Sequence, residues 1–354
     1  MTGTNPVQIE TPRTDGETAS AAVANPGPVP RRRGRRLAAL TRLGEHYALL
    51  ILTVLISVFF SVYPASRGSF ATVANLNVTL GTQTAVALLA LAAVFPLVAG
   101  HIDFSLGAIA ATSMVLCAGL MSRHGLPVGV AALICVLVGG LIGLVNGIAV
   151  TRFGMNPFVT TLGVGTLLGG IIQWYTGGQT IFKGISTHLT DFGSLTLIGL
   201  PQVTFVVIGL GGVSWYVLTH TPYGRSLYAV GSNERSARLV GVRVDRNVLI
   251  AFVGAGLLAG VAGVLQLSRT GSATADSGTS LLFPALAAVF LGATTVRPGF
   301  FNIGGALIGV LFVSVSVSGL TLSGASAWAS PVFNGLALLV AVGLSAYLGR
   351  RSRA

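Results

Sequence analysis

Long apolar runs alternate with short polar intervals along nearly the whole chain after residue 46. Most of these runs approach the roughly 20 residues that a helix needs to cross the hydrocarbon core of a bilayer. The pattern therefore predicts an all-α integral membrane protein with about ten transmembrane helices. The predicted spans are 47–63, 78–98, 104–121, 128–150, 158–176, 197–219, 248–267, 281–295, 300–320 and 331–348. The third and eighth are short, and a re-entrant course stays open for both.

The basic residues assign a side of the membrane to every interval between these spans. With ten spans and the N-terminus inside, 17 of the 21 Lys and Arg residues lie on the cytoplasmic side and 4 lie outside. Lys and Arg are retained on the cytoplasmic side during insertion. We therefore expect both termini to be cytoplasmic.

A short motif recurs in two spans that run in opposite predicted directions. Gly-Leu-Ile-Gly-Leu begins at Gly140 in the fourth span, and Gly-Ala-Leu-Ile-Gly-Val begins at Gly305 in the ninth. Inverted repeats of this kind are common in transporter folds. We expect spans two to five and seven to ten to form two inverted halves.

The N-terminal segment differs in composition from the spans. Residues 1–45 are rich in Thr, Pro, Ala and Gly and end in an arginine-rich stretch that begins at Arg31. A segment with so little apolar surface to bury is typical of disorder. The sequence therefore predicts a disordered basic cytoplasmic tail over 1–45 and a transmembrane domain over 46–350.

Composition excludes several classes of function. Only 8% of the residues are charged and the mean hydropathy is +0.81, so the net charge of +12 reflects membrane orientation and no nucleic-acid partner is expected. The chain lacks the Gly-rich motif that cradles nucleotide phosphates, and its one lysine, Lys183, lies in an outer interval. The five histidines are scattered, so we expect no metal, no cofactor and no catalytic residue.

Asp103 is the only carboxylate between Glu45 and Asp191. A charged side chain at the centre of a membrane helix costs about 2.5–3.5 kcal/mol, so such residues are often functional. Two interpretations stay open. Asp103 lies in or beside a transport path, or it caps the third span with help from Ser105.

The interval 221–247 is the longest polar interval after the first span. It contains five arginines and two carboxylates: Arg225, Arg235, Arg238, Arg243, Arg246, Glu234 and Asp245. This excess of positive charge predicts a cytoplasmic loop. Ser232 and Asn233 can cap a short helix with Glu234 in its first turn, and Gly241 is placed to end that helix.

Five stretches, in this order and spacing, resemble the permease subunit of sugar ABC importers of the ribose type. They are GHIDFSLGA (100–108), GLVNGIAVTRFGMNPFVTTLG (143–163), TGGQTI (176–181), TPYGRSLYAVGSNERSARLVGV (221–242) and AAVFLGATTVRPGFFNIGGALIG (287–309). The resemblance covers residues 78–348. It implies ten spans with inverted halves in a multi-pass protein of the bacterial plasma (inner) membrane.

The resemblance also implies a function and a set of partners. The chain is expected to import a monosaccharide or similar polyol as a transport subunit and not as an enzyme. Its expected partners are a second permease subunit in a homo- or heterodimer, a cytoplasmic ATP-binding subunit, an extracytoplasmic sugar-binding protein and the lipid bilayer.

Two sets of residues are expected to carry this function. In such importers a short cytoplasmic helix of the permease fits a groove on the ATPase, and the matching residues in 221–247 are Asn233, Glu234, Ser236, Ala237, Arg238, Leu239 and Gly241. Residues suited to hydrogen bonding or stacking with a polyol are expected along the translocation path, namely His101, Asp103, Ser105, Asn146, Asn156 and Phe158. Two positions depart from the family pattern, because His101 replaces a common glycine and Ser236 a common alanine.

Two alternatives from other classes of protein stay open beside this interpretation. A secondary transporter coupled to protons or sodium through Asp103 accounts for the repeat and the lone carboxylate, but leaves the pattern at 234–241 unexplained. An intramembrane enzyme needs a nucleophile and a base at matching depth, and the sequence offers no evident pair.

Overall fold

The computed structural model shows a protein that is almost entirely helical. It describes the backbone of residue 3 and of residues 32–351, with side chains at 3, 47–278 and 280–343. The chain divides into two units, 1–41 and 42–354. Within the described residues the elements are α1 Arg32–Val62, α2 Val73–Thr82, α3 Thr84–Val98, α4 Leu106–His124, α5 Val128–Thr151, α6 Pro157–Thr176, α7 Thr187–Ser194, β1 Thr196–Leu197, β2 Leu200–Pro201, α8 Gln202–His220, α9 Pro222–Ser232, α10 Glu234–Leu239, α11 Val244–Thr270, α12 Thr279–Gly292, α13 Ile303–Leu322 and α14 Ala329–Arg351.

Seven helical segments in the described part of the chain are long and apolar enough to cross a membrane. The pair α2 and α3, bent by 45° relative to each other, passes the same test together and raises the number to eight. Two shorter apolar helices, Tyr47–Val62 and Ala329–Gly343, lie where the first and tenth spans are predicted. The all-α membrane fold is confirmed, and the number of ten spans stays a prediction.

The first helix begins earlier than the sequence predicts. α1 starts at Arg32, inside the segment 1–45 that is predicted to be a disordered tail. Residues 37–40, Leu-Ala-Ala-Leu, are strong helix formers and favour helix even among arginines. Residues 4–31 of the predicted tail lie outside the described residues.

The second predicted span is broken at Gln83, between α2 and α3. Arg269, in the last turn of α11, fills the space beside Gly81, where a Cβ atom would overlap the guanidinium group. The same guanidinium donates a 2.6 Å hydrogen bond to the backbone oxygen of Gly193. Arg269 therefore packs against the last turn of α2, two residues before the break.

The sixth predicted span, 197–219, begins later than expected because a small hairpin precedes it. β1 and β2 pair antiparallel, and the turn residues Ile198 and Gly199 have φ angles of 55° and 79°. Two left-handed residues in succession are what a two-residue type I′ hairpin requires. The helix α8 therefore starts only after Pro201, at Gln202.

The most completely buried helix in the described structure is α3, in which every residue is buried. It packs against α8, α11, α12 and α13. An apolar helix surrounded by other helices contacts neither lipid nor water, which places α3 at the centre of the protein.

Small residues allow the helices around α3 to pack closely. Gly139 and Gly143 of α5 face Gly256 and Gly260 of α11, and a Cβ atom added at any of the four would press against backbone atoms of the other helix. Both pairs have the Gly-x-x-x-Gly spacing that brings membrane helices into close contact. The two helices accordingly share an extensive interface.

The pairing of helices recurs between the two halves of the chain. In the first half α4 packs against α5 and α6, and in the second half α12 packs against α13 and α14. Between the halves, α11 contacts α4 and α5 just as α3 contacts α12 and α13. This recurrence is what the predicted inverted repeat requires, because α3 and α11 then occupy equivalent positions.

Candidate functional site

A buried polar cluster lies where the connection from α3 enters α4. The Oδ1 atom of Asp103 accepts hydrogen bonds from the Ser105 amide at 2.8 Å and from the Ser105 hydroxyl at 2.6 Å. Asn146 on α5 donates from Nδ2 to the Ser105 hydroxyl oxygen at 2.8 Å. The three residues are between 0% and 1% exposed. The cluster therefore ties the start of α4 to α5.

Asp103 does not cap α4 in the usual sense, because the N-cap residue is Ser105 and this helix receives no capping hydrogen bond from a side chain. The Asp103 carboxylate holds the amide two residues ahead, as in an Asx turn at the start of a helix. Its second oxygen, Oδ2, and the Oδ1 atom of Asn146 are buried without a hydrogen-bond partner in the described structure. Burial raises the pKa of Asp103 to about 6, although its bonds with Ser105 lower it. The carboxyl group can therefore exchange a proton close to neutral pH.

Two of the other predicted path residues lie at the exposed start of α6. The Oδ1 atom of Asn156 accepts hydrogen bonds from the amides of Phe158 at 2.9 Å and Val159 at 3.4 Å, so Asn156 caps this helix. The Phe158 side chain is 51% exposed and meets Phe104 edge-on, with ring centroids 5.2 Å apart. The structure thus gathers three of the six predicted path residues into one buried cluster, and Phe158 reaches the edge of that cluster through Phe104.

The interval 221–247, for which the sequence predicts one short helix, contains α9, α10 and the first turn of α11. Thr221 caps α9 by accepting a 3.3 Å hydrogen bond from the Gly224 amide, and Pro222 occupies the first helical position. The missed helix α9 does have a local signal, since Thr followed by Pro is typical of a helix start.

The short helix α10 has the ends that the sequence predicts. The Asn233 side chain accepts a 2.9 Å hydrogen bond from the amide three residues later, and Gly241 has a φ of 83°, a conformation that favours glycine. Arg238 pairs with Asp245 at 2.6 Å and with Glu234 at 3.0 Å. The hydrogen bonds that Arg238 donates to Asp245 and Glu234 raise its pKa. Caps and charge pairs together fix the shape of α10.

The outer surface of α10 ends in apolar side chains. Leu239 is 88% exposed and Val240 is 78% exposed, whereas Ala237 is 4% exposed and faces the protein. Apolar side chains this exposed on a charged loop are candidates for a protein contact. Ala237, expected at such a contact, is not at the surface in this structure. Val240, which is not among the predicted contact residues, is at the surface. Two successive apolar residues in a charged loop, Leu239 and Val240, are the sequence pattern that indicates it.

Contacts of α9 anchor α10 to the centre of the protein. A Cβ atom at Gly231 would overlap the carbonyl oxygen of Val98, so the end of α9 abuts the end of α3. The Tyr228 hydroxyl donates a 2.8 Å hydrogen bond to the backbone oxygen of Phe301, in the connection between α12 and α13. A displacement of α10 would therefore reach α3 and the connection between α12 and α13. Neither Gly231 nor Tyr228 is singled out by the sequence.

His101 lies in the connection between α3 and α4. Burial lowers the pKa of His101, while the negative charge of Glu234 raises it. The imidazole ring also lies 6.2 Å from the ring of Phe252 on α11. His101 is thus a predicted path residue for which no hydrogen bond to the Asp103 cluster is seen in the described structure.

These features define a class of protein. Sets of membrane helices that recur in two halves, around a broken span, are typical of transporters. The family comparison agrees, because residues 75–342 match the family described as branched-chain amino acid transport system / permease component. The chain belongs to this family.

Several permeases are similar to this chain along most of its length. It is 31% identical over 310 residues to the ribose import permease protein of Haemophilus influenzae, covering 87% of this chain and 94% of that one. It is 34% identical over 309 residues to the ribose import permease protein of Bacillus subtilis, covering 86% and 92%. It is 35% identical over 288 residues to the autoinducer 2 import system permease protein of Yersinia enterocolitica, covering 78% and 86%. No solved structure matches. The resemblance to ribose-type ABC permeases is confirmed.

Proposed function

We propose that this chain is the translocation subunit of an ATP-driven importer that moves a monosaccharide or similar polyol into the cytoplasm. A separate ATP-binding subunit supplies the energy, an extracytoplasmic binding protein delivers the substrate, and a second permease subunit completes the pathway. Membership of the permease family and similarity to ribose and autoinducer 2 import permeases support this proposal. Both termini and α10 then face the cytoplasm, as the distribution of charge predicts.

One observation carries the assignment of the ATPase contact. Leu239 and Val240 project into solvent from a short helix whose other side is held against the protein. Burying these side chains in a groove would stabilise the contact, since about 1.5–3 kcal/mol accompanies full burial of a leucine or valine. The remaining contact residues shape or orient this tip: Asn233, Glu234, Ser236, Arg238 and Gly241.

The ATPase can drive the permease only by binding its two conformations with different affinity. The contacts of α9 with α3 and with the α12–α13 connection would couple ATPase binding at α10 to the conformation of the central helix α3. When α10 moves with the ATPase, the end of α3 at Val98 and the carbonyl group of Phe301 move with it.

The polar cluster lies at the same end of α3 and is the proposed gate of the path. If α4 separates from α5 there, Asp103, Ser105 and Asn146 lose their mutual hydrogen bonds. Buried polar groups left unpaired cost about 1–3 kcal/mol each, so passing substrate hydroxyls or water would replace those bonds. Hydrogen bonds that are exchanged in this way would hold a substrate only briefly, as transport requires.

Co-purification with the ATPase subunit of the same transport system tests the contact. Leu239→Glu should lower ATPase retention by about tenfold or more, because it replaces apolar burial with a buried charge. Ile198→Glu is the matched control, since Ile198 is 89% exposed in the hairpin assigned to the other side of the membrane. Equal ATPase retention by wild type and Leu239→Glu would contradict docking at α10.

A second candidate is a secondary transporter that couples to protons through Asp103. The buried carboxyl with a raised pKa and an unpaired Oδ2 atom favours it. Family membership favours the ATP-driven importer instead. A protonophore distinguishes the two, because it would abolish uptake by the proton-coupled transporter while cellular ATP persists.

A further inference from the structure

A cleft of about 400 Å³ lies beside α9, between the end of α8 and the connection from α12 to α13. It is lined by two arginines, two aromatic residues, one threonine and one leucine: Arg225, Arg297, Tyr228, Phe300, Thr219 and Leu218. It is separate from the Asp103 cluster and from the apolar tip of α10. Its lining combines positive charge with apolar surface.

The two guanidinium groups of this cleft have no carboxylate partner within the described part of the chain. The two carboxylates in the same polar interval as Arg225, Glu234 and Asp245, both pair with Arg238. Burial raises the pKa of Tyr228, and the nearby charge of Arg297 lowers it in part, which places that cation beside the tyrosine. Two like charges that line one cleft repel each other, so an anion bound between them would be stabilised.

Aromatic residues on α8 place the cleft at the depth of the lipid headgroups. Trp215 and Tyr216 are 49% and 58% exposed near the end of this helix. The His220 ring contacts both, with centroid distances of 4.7 Å and 5.4 Å. Exposed Trp and Tyr at the end of a span mark the boundary between membrane and water. Leu218 lies in the same turn, so the cleft opens at this boundary.

We propose that this cleft binds the phosphodiester headgroup of an anionic phospholipid. Arg225 and Arg297 would hold its oxygens by charge-assisted hydrogen bonds, and Phe300, 51% exposed, would contact the acyl chain. Basic pockets between helices on the cytoplasmic side are suited to such headgroups. Because α9 and the α12–α13 connection both border the cleft, the lipid would also brace the hydrogen bond from Tyr228 to Phe301.

Native mass spectrometry of the full chain in detergent measures this binding directly. Wild type is expected to bind phosphatidylglycerol much more tightly than phosphatidylcholine. The double variant Arg225→Ala with Arg297→Ala should bind phosphatidylglycerol about 25-fold more weakly, because each basic residue near an anionic surface contributes about fivefold. Arg152→Ala is the matched control, since it removes an exposed arginine outside the cleft and should leave phosphatidylglycerol binding unchanged.

Further variants and ligands separate lost charge from other causes. Arg225→Lys with Arg297→Lys keeps both charges and should retain most of the phosphatidylglycerol binding. Retained binding would show that substitution at these two positions does not unfold the protein. Equal phosphatidylglycerol binding by wild type and the double alanine variant would overturn the proposal. Tight binding of inorganic phosphate without preference for phosphatidylglycerol would also overturn it, because the cleft would then hold a free anion. The proposal would also be overturned if the double alanine variant lost the ATPase subunit while its phosphatidylglycerol binding stayed unchanged. The cleft would then be a protein contact.

Discussion

The hydroxyl group of Tyr228 donates a 2.8 Å hydrogen bond to the backbone oxygen of Phe301 and thereby joins α9 to the connection between α12 and α13. At its other end, α9 meets α3 through the close approach of Gly231 to Val98. A partner that holds α10 can move the centre of the protein only through links of this kind. The two links can be weakened one at a time.

Tyr228→Phe removes the hydrogen bond with little change in volume. We expect a loss of about 1 kcal/mol in stability, the usual net value of one hydrogen bond, and weaker coupling between ATP hydrolysis and uptake. Thermal unfolding and the ratio of ATP hydrolysed to substrate imported measure the two effects. Tyr216→Phe is the control, because it removes an exposed hydroxyl group on α8. Equal effects of the two variants would argue against a role for this bond.

Gly231→Ala introduces a Cβ atom where the Val98 carbonyl oxygen already lies. Overpacking of this kind costs about 1–3 kcal/mol, and it should push α9 away from α3. We expect a lower melting temperature and reduced uptake. Gly212→Ala on α8 has no atom within 4 Å of the new Cβ and should behave as wild type. A Gly231→Ala variant with normal uptake would show that this contact is dispensable.

Arg238→Ala removes two exposed ion pairs of α10, with Asp245 and Glu234. Exposed pairs contribute little to folding, so the melting temperature should stay at the wild-type value. Retention of the ATPase subunit should fall, because the orientation of α10 depends on these pairs. A lowered melting temperature with normal ATPase retention would contradict this prediction, because the ion pairs would then stabilise the fold and not the ATPase contact.

The buried carboxyl of Asp103 makes stability depend on pH. Its folded pKa of about 6 lies above the ordinary value of 3.8, so the folded state binds more protons between these values. Stability should therefore fall as pH rises from about 4 to about 6, by up to about 3 kcal/mol, and stay lower above that range. Melting temperatures between pH 4 and pH 8 measure this decline, which Asp103→Asn should remove.

His101 acts in the opposite direction, because burial lowers its folded pKa and stability is gained as pH rises towards 6.5. The difference between the wild-type and Asp103→Asn curves isolates the carboxyl group, since both proteins contain His101. Parallel curves would mean that Asp103 does not titrate in this range.

Features that depend on neighbouring residues could be predicted from the sequence. The cap at Asn233 and the end of α10 at Gly241 follow from local backbone chemistry, and both are present. The bond from Ser105 to Asp103 is equally local. Most spans follow from apolar runs whose length matches a bilayer.

Features that depend on distant residues could not be predicted. The contact of Arg269 with the last turn of α2 joins distant parts of the chain, and the third member of the polar cluster, Asn146, comes from α5. The inward position of Ala237 and the exposure of Val240 were missed because a helix as short as α10 shows no periodicity from which a buried face can be read. Tertiary packing decides each of these points.

Reconstitution in vesicles tests the central claim, that a separate ATPase drives this permease. Purified permease is incorporated alone, with the ATPase subunit, or with the ATPase subunit and the binding protein, and accumulation of a labelled monosaccharide that the binding protein retains is measured. We expect accumulation only when both partners and ATP are present, and no effect of a protonophore. Accumulation by the permease alone under a proton or sodium gradient would contradict the claim.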